Sequence, residues 1–170
     1  MDAILERRSV RKFKDELIPY EDLLTLCRYA ESAPTARNQR SREYIIIENK
    51  ELIKELAKCY VRSSMVVEKA NQIIAVICKD LDSLPAEPFA YQDAAYAAEN
   101  LMVKATEMKI GTVLLGTYPL EERYKPVSKL LNLDDNKIPF TLICLGYPEE
   151  DNAFYDKDKF KLEMVKHIGE

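Results

Sequence analysis

Short runs of consecutive apolar residues alternate along the chain with stretches where apolar positions recur every three or four residues. The runs are Tyr44-Ile45-Ile46-Ile47, Ile73-Ile74-Ala75-Val76-Ile77-Cys78, Thr112-Val113-Leu114-Leu115 and Phe140-Thr141-Leu142-Ile143-Cys144-Leu145. Short and rich in β-branched residues, they predict buried strands. The periodic stretches predict helices over Tyr20 to Glu31, Leu52 to Tyr60, Tyr91 to Met108 and Leu120 to Leu131, the last with a kink or break at Pro126. Ile4 to Lys12 reads as a short helix with a basic end, and Ala33 to Gln39 as a loop. Leu81 to Phe89, with Pro85 and Pro88, reads as a second loop. Strands alternating with amphipathic helices predict one layered α/β or α+β domain over 1–170. Ala94, Ala95, Ala97, Ala98 and Ala105 give the longest helix a small-residue surface for close packing, with a second copy as the expected neighbour. From Tyr147 to Glu170 the chain is polar until Leu162, Met164 and Val165, which predicts an arm reaching beyond its own core.

Composition narrows the function classes. The 170 residues are 47% hydrophobic and 32% charged, a globular balance, and the formal net charge of −4 offers nucleic acid no general attraction. No segment is apolar for long enough to span a membrane, and charge follows the N-terminus at once, so a cytoplasmic protein without a signal peptide is expected. Cys27, Cys59, Cys78 and Cys144 form no C-x-x-C pair and sit among apolar residues, which predicts free thiols rather than disulfides or metal ligands. His167 is the only histidine, so a Ser-His-Asp triad or a zinc site would rest on that one residue.

The glycines are Gly111, Gly116, Gly146 and Gly169, and neither a G-x-G-x-x-G nor a Walker A loop is present. A tightly bound phosphate must therefore be held mainly by cationic side chains. One candidate is Arg7-Arg8-Ser9-Val10-Arg11-Lys12; on a helix Arg7 and Arg11 share a face, and the guanidinium fork suits phosphate. The same string also reads as a solvated helix end. Asn38 carries a donor and an acceptor that match a flat heterocycle, although Asn is common in turns. A strand from Gly111 to Gly116 lets a ligand approach its main chain, or is simply a core strand. Lys157 and Lys159 point the same way if extended, or belong to a solvated charge run.

In this order the signals resemble the nitroreductase family of flavoproteins. Arg7-Arg8-Ser9-Val10-Arg11 followed by Phe13 stands for its R-R-S-x-R string, and Ala33-Pro34-Thr35-Ala36-Arg37-Asn38 for its A-P-S-x-x-N loop. Asn100-Leu101 on the Ala-rich helix, Gly111 to Gly116, Gly146-Tyr147-Pro148 and the basic tail complete the set. The resemblance implies an α+β fold with a central, mostly antiparallel sheet flanked by helices and an extended C-terminal arm. It implies a homodimer with FMN at the interface. The cofactor would take hydride from NADH or NADPH and pass electrons to nitroaromatic, quinone or similar acceptors. Carried over by position, Arg7, Arg8 and Ser9 would hold the phosphate and ribityl chain, and Lys157 and Lys159 would return to the phosphate. Arg11 and Asn38 would face the pyrimidine edge, with Arg11 tuning the ring, and the main chain at Leu115 and Gly116 would approach N5. No side chain would act as a nucleophile. The chain departs from the family at Arg40-Ser41-Arg42, where a Q-P-W segment is usual, and it is short between Cys78 and Tyr91. Two other readings remain: a flavoprotein of this fold with other chemistry, such as dehalogenation or flavin breakdown, and a non-enzymatic α/β binding module.

Overall fold

A computed structural model describes residues 2–83 and 89–169. The apolar runs form β1 (Arg42–Ile47), β2 (Gln72–Cys78), β3 (Gly111–Gly116) and β4 (Ile138–Gly146). They pair antiparallel in one sheet of order β1-β2-β4-β3. β2 is buried at every position, so it reads as an unbroken apolar run rather than an alternation. Its successive side chains still take opposite faces. Ile73, Ala75 and Ile77 join Ile53, Leu56 and Val127 in one core; Ile74, Val76 and Cys78 join Leu23, Leu26, Ala97 and Leu101 in the other. Helices α2 (Tyr20–Glu31) and α5 (Ala90–Glu107) cover the second face, and α3 (Lys50–Lys58), α4 (Ser64–Glu68) and α6 (Glu121–Leu130) the first. The fold is α+β, as expected. α4 was not anticipated, because five residues are too few to show a period. α6 continues past Pro126 to Leu130, so the expected break is absent. Most of the loop expected around Pro85 and Pro88 lies outside the described residues.

The first expectation to fail is the N-terminal helix. Helix α1 spans only Ala3–Glu6, capped by the Asp2 carboxylate, and Arg7 leaves helical geometry with ψ 129°. Beyond it the chain is an extended strap along β3. Ser9 pairs with Thr112, and the Val10 N–H donates to the Thr112 carbonyl at 2.9 Å. Val10 and Phe13 bury their side chains in the core, which a helix to Lys12 would not allow. A Cβ on Gly111 would lie 2.8 Å from Cβ of Val10, and one on Gly146 would lie 2.8 Å from Cβ of Phe13. These two glycines therefore admit the strap rather than a ligand.

The small-residue helix face is also used internally. Ala94, Ala97, Ala98 and Ala105 are fully buried against α2 and the sheet, and of the alanines singled out only Ala95 is exposed. The arm begins later than Tyr147. Lys14 N–H donates to the Tyr147 carbonyl at 2.8 Å, Glu149 N–H to that of Lys12 at 3.2 Å, and Phe154 packs partly on the core. Past Tyr155 the chain is exposed.

All the cysteines are free. Burial pushes the Cys78 and Cys144 thiols from 9.0 up to about 12. Above pH 9.0 an unfolded chain releases these protons while the folded one keeps them, so stability falls as pH rises between 9.0 and about 12. The expected slope is about 1.4 kcal/mol per pH unit for each thiol. Urea unfolding across that range measures it; a flat profile would refute the buried-thiol account.

Candidate functional site

The strap along β3 projects the arginine string. Arg7 Nε pairs with Glu99 Oε1 of α5 at 3.1 Å. Arg8 folds back: its Nη1 donates to the Leu5 carbonyl at 2.9 Å and the Arg7 carbonyl at 2.6 Å. Its guanidinium lies 4.6 Å from the Tyr155 ring centroid. Arg8 Nε and Nη2 are buried and have no hydrogen-bond partner. Such donors cost free energy unless something pairs with them. Arg11 is exposed and gives Nη1 to the Ser9 carbonyl at 3.1 Å.

Two hollows share Arg8. One, about 500 Å³, is lined by Ser9, Arg11, Lys12, Asn152 and Tyr155 among others. The second, about 420 Å³, is lined by Arg7, Lys157 and Lys159, with Asp156 and Asp158 between them. The structure thus gathers Arg7, Arg8, Ser9, Arg11, Lys157 and Lys159 around Arg8. Arg7 and Arg11 do not share a helix face as expected, because no helix is there; they line adjoining hollows off an extended strap.

β3 is an edge strand. Its outward carbonyl at Thr112 is taken by Val10, and the one at Gly116 by Arg123 Nη1 at 2.9 Å. By antiparallel alternation Thr112, Leu114 and Gly116 turn their peptide groups away from β4. Nothing lies within 4 Å of where a Gly116 Cβ would be, so a flat ligand can reach the main chain there. Leu115 is buried, and its carbonyl accepts from Thr141 Oγ1 at 2.8 Å. Burial drives the Tyr60 phenol well above its usual range, and its hydroxyl meets that of Thr117.

Asn38 lies elsewhere. Its loop is held by Asp93, only 2% exposed, whose oxygens each accept from the Ala36 N–H at 3.1 Å, with Oδ2 also accepting from Gln39 Nε2 at 3.0 Å. Arg37, Asn38 and Arg40 all have left-handed backbone, with φ of 51°, 55° and 51°. Non-glycine residues keep such angles where the surroundings impose them. Asn38 lines a separate hollow of about 540 Å³ with Arg28 and Arg40, and Arg40 Nε donates to Asn38 Oδ1 at 3.2 Å. Arg42, where the family's usual segment is replaced, is an internal tie. It donates to Glu31 Oε2 at 3.2 Å and to the carbonyls of Asp93 (3.0 Å), Glu31 (2.9 Å) and Ala33 (2.6 Å).

The single antiparallel sheet flanked by helices agrees with the fold that the sequence resemblance implies. The model of the nitroreductase family matches residues 4–72 and 64–147. The chain belongs to the nitroreductase family. An Archaeoglobus fulgidus protein provisionally named NADH dehydrogenase/NAD(P)H nitroreductase is 32% identical over 93% of this chain and 90% of its own. The FMN reductase (NADPH) of Bacillus subtilis is 26% identical, covering 98% of this chain and 72% of its own. The crystal structure of a Clostridium acetobutylicum protein provisionally named NADH oxidase superposes with a TM-score of 0.92 at 32% identity, covering 99% of both chains. Family membership makes the chain an oxidoreductase. Among the described residues no cluster of His, Cys, Asp or Glu could hold a metal, and no helix is long and apolar enough to cross a membrane.

In this chain, sequence reasoning missed Asp93, Arg42 and Arg123. Asp93 was findable: it sits four residues before Ala97 on the buried face of α5, where an acid needs donors. Arg42 and Arg123 carry no such signal, since an arginine opening a strand or standing in an amphipathic helix is ordinary.

Proposed function

We propose that the chain is an FMN-dependent NAD(P)H oxidoreductase that works as a cytoplasmic homodimer and reduces nitroaromatic, quinone or similar electron-poor acceptors. The observation that carries this reading is Arg8, whose two buried and unpaired nitrogens sit where two cation-lined hollows meet. A phosphate monoester dianion satisfies those donors, and Arg7, Lys157 and Lys159 add charge around it. Ser9 supplies a hydroxyl beside them. Bound there, FMN supplies two-electron transfer between a pyridine nucleotide and the acceptor. Gly116, lacking a side chain, leaves its edge of β3 open to the ring, and Arg123 fixes its carbonyl. Arg11 places a cation toward the ring's pyrimidine edge, where it favours a negatively charged ring. Asn38 lines a different hollow from the strap, so a second copy of the chain is the natural way for both to touch one ring. Residues 1–170 then act as a single FMN-binding unit.

Denaturing the purified protein and separating the released cofactor tests the reading. FMN is expected, because the cations suit one phosphate and no dinucleotide loop exists for an adenylate half. Release of FAD, or failure to bind added FMN, would refute it. NADH and NADPH oxidation with nitroaromatic and quinone acceptors then tests the reaction class.

A further inference from the structure

The hollow beside Asn38 is not explained by the FMN phosphate, whose proposed cations lie around Arg8. It is about 540 Å³, and its charged lining is Arg28, Arg40, Arg42 and Glu31. Glu31 Oε2 takes Arg42 Nε at 3.2 Å and the Tyr44 hydroxyl at 3.2 Å. Arg42 in turn is spent on that carboxylate and on backbone carbonyls. Arg28 and Arg40 are left without a carboxylate partner among the described residues. Elsewhere on this acidic chain surface cations are commonly paired, as in Lys54–Glu51, Lys58–Glu55, Lys104–Glu107 and Lys125–Glu121.

The loop residues of the hollow offer donors. Asn38 has its oxygen occupied by Arg40 Nε, which leaves its amide N–H groups. Thr35 Oγ1 accepts from the Arg40 N–H at 3.3 Å, which leaves its hydroxyl proton. The carbonyls of Glu31 and Ala33, which would repel an anion at the end of α2, are both covered by Arg42. A donor-rich wall with two guanidinium groups that lack a carboxylate partner suits a phosphate. The loop is preorganised for it, since Asp93 holds the left-handed turn in place.

We propose that this hollow binds a phosphate of the reduced pyridine dinucleotide that donates electrons. The inference rests on the FMN reading above, which places Asn38 at the ring edge and so puts the hollow beside the ring. FMN brings one phosphate and has its own cations. A second cationic hollow in the same site therefore serves the second phosphate-bearing molecule that the reaction uses. Its phosphate is either the 2′-phosphate of NADPH or the pyrophosphate common to NADPH and NADH.

The test is Arg28→Gln in the FMN-loaded enzyme, with Arg28→Lys as the conservative variant. Arg28 is exposed on the last turn of α2, so the substitution spares the core. Steady-state kinetics with NADPH and NADH are paired with calorimetric titration of adenosine 2′,5′-bisphosphate and of ADP. The expected result is a KM for NADPH raised about tenfold at unchanged kcat, a matching loss of bisphosphate affinity, and partial rescue by lysine. A change confined to NADPH and the bisphosphate assigns the 2′-phosphate. An equal change with NADH and ADP assigns the pyrophosphate. Unchanged KM for both donors and unchanged titrations overturn the proposal. A colourless protein that takes up no FMN would instead sink the FMN reading, and the titrations would still decide whether the hollow binds phosphate.

Discussion

Replacing Arg8 with alanine is expected to weaken FMN binding by about a hundredfold or more while changing the stability of the empty protein little. The two effects have one cause. Arg8 keeps Nε and Nη2 buried and unpaired. In the absence of a ligand they cost free energy, and removing them offsets the loss of the Nη1 hydrogen bonds to the Leu5 and Arg7 carbonyls and of the Tyr155 contact. With a phosphate bound they become charge-assisted donors worth about 1.5–3 kcal/mol each, and losing both reaches about a hundredfold in Kd. Arg7→Ala is the contrast. Arg7 is held by Glu99 at 3.1 Å and is partly exposed, so its loss weakens binding by a smaller factor. Fluorescence titration with FMN gives the affinities, and thermal unfolding without FMN gives the stabilities. An Arg8→Ala protein that binds FMN normally would remove the phosphate site. One that binds poorly because it is unfolded would show a sharply lowered melting temperature, where little change is expected.

The sheet was readable in the sequence because burial on both faces leaves an unmistakable trace. Each apolar run became a strand, and α2 begins and ends where its period does. Contacts across the chain were not readable. The arginine string has helical neighbours before it, and nothing local reveals that β3 presents a free edge about a hundred residues away in sequence; only Val10 and Phe13, apolar within a basic stretch, hint at a strap that must bury them. The alanines of α5 announced close packing but not its partner, which is α2 and the chain's own sheet. Asn38 was singled out by residue type, yet what shapes its loop is Asp93, 57 positions beyond the Ala36 that it holds. The site's residue types were thus legible through family resemblance, whereas the braces that aim them are long-range hydrogen bonds that no local pattern encodes.

Truncating the chain after Tyr155 is expected to abolish stable dimerisation and to weaken FMN binding at the same time. Tyr155 is kept because its ring lies against Arg8. Beyond it Phe160, Leu162, Met164, Val165 and Ile168 are each more than half exposed, between 56% and 84%. An apolar side chain of this size contributes about 1.5–3 kcal/mol when fully buried. Nothing among the described residues covers these, and in the proposed symmetric dimer each arm would lie on the other subunit's surface. Ordering the arm offsets part of that gain, so the expected net effect is a rise in the dimer dissociation constant of about a hundredfold or more. Sedimentation of the truncated protein measures it, and a truncated protein that stays dimeric refutes the arm's role. FMN affinity should fall too, because Lys157 and Lys159 leave with the arm and they line the hollow that holds Arg7 and Arg8. Full-length Lys157→Ala/Lys159→Ala separates the two contributions. It retains the apolar residues, so it should sediment as a dimer while binding FMN about tenfold more weakly, the scale expected for lost charge-assisted contacts. If that double variant binds FMN normally, the lysines are solvated charge and the arm's part in cofactor binding comes from dimerisation alone.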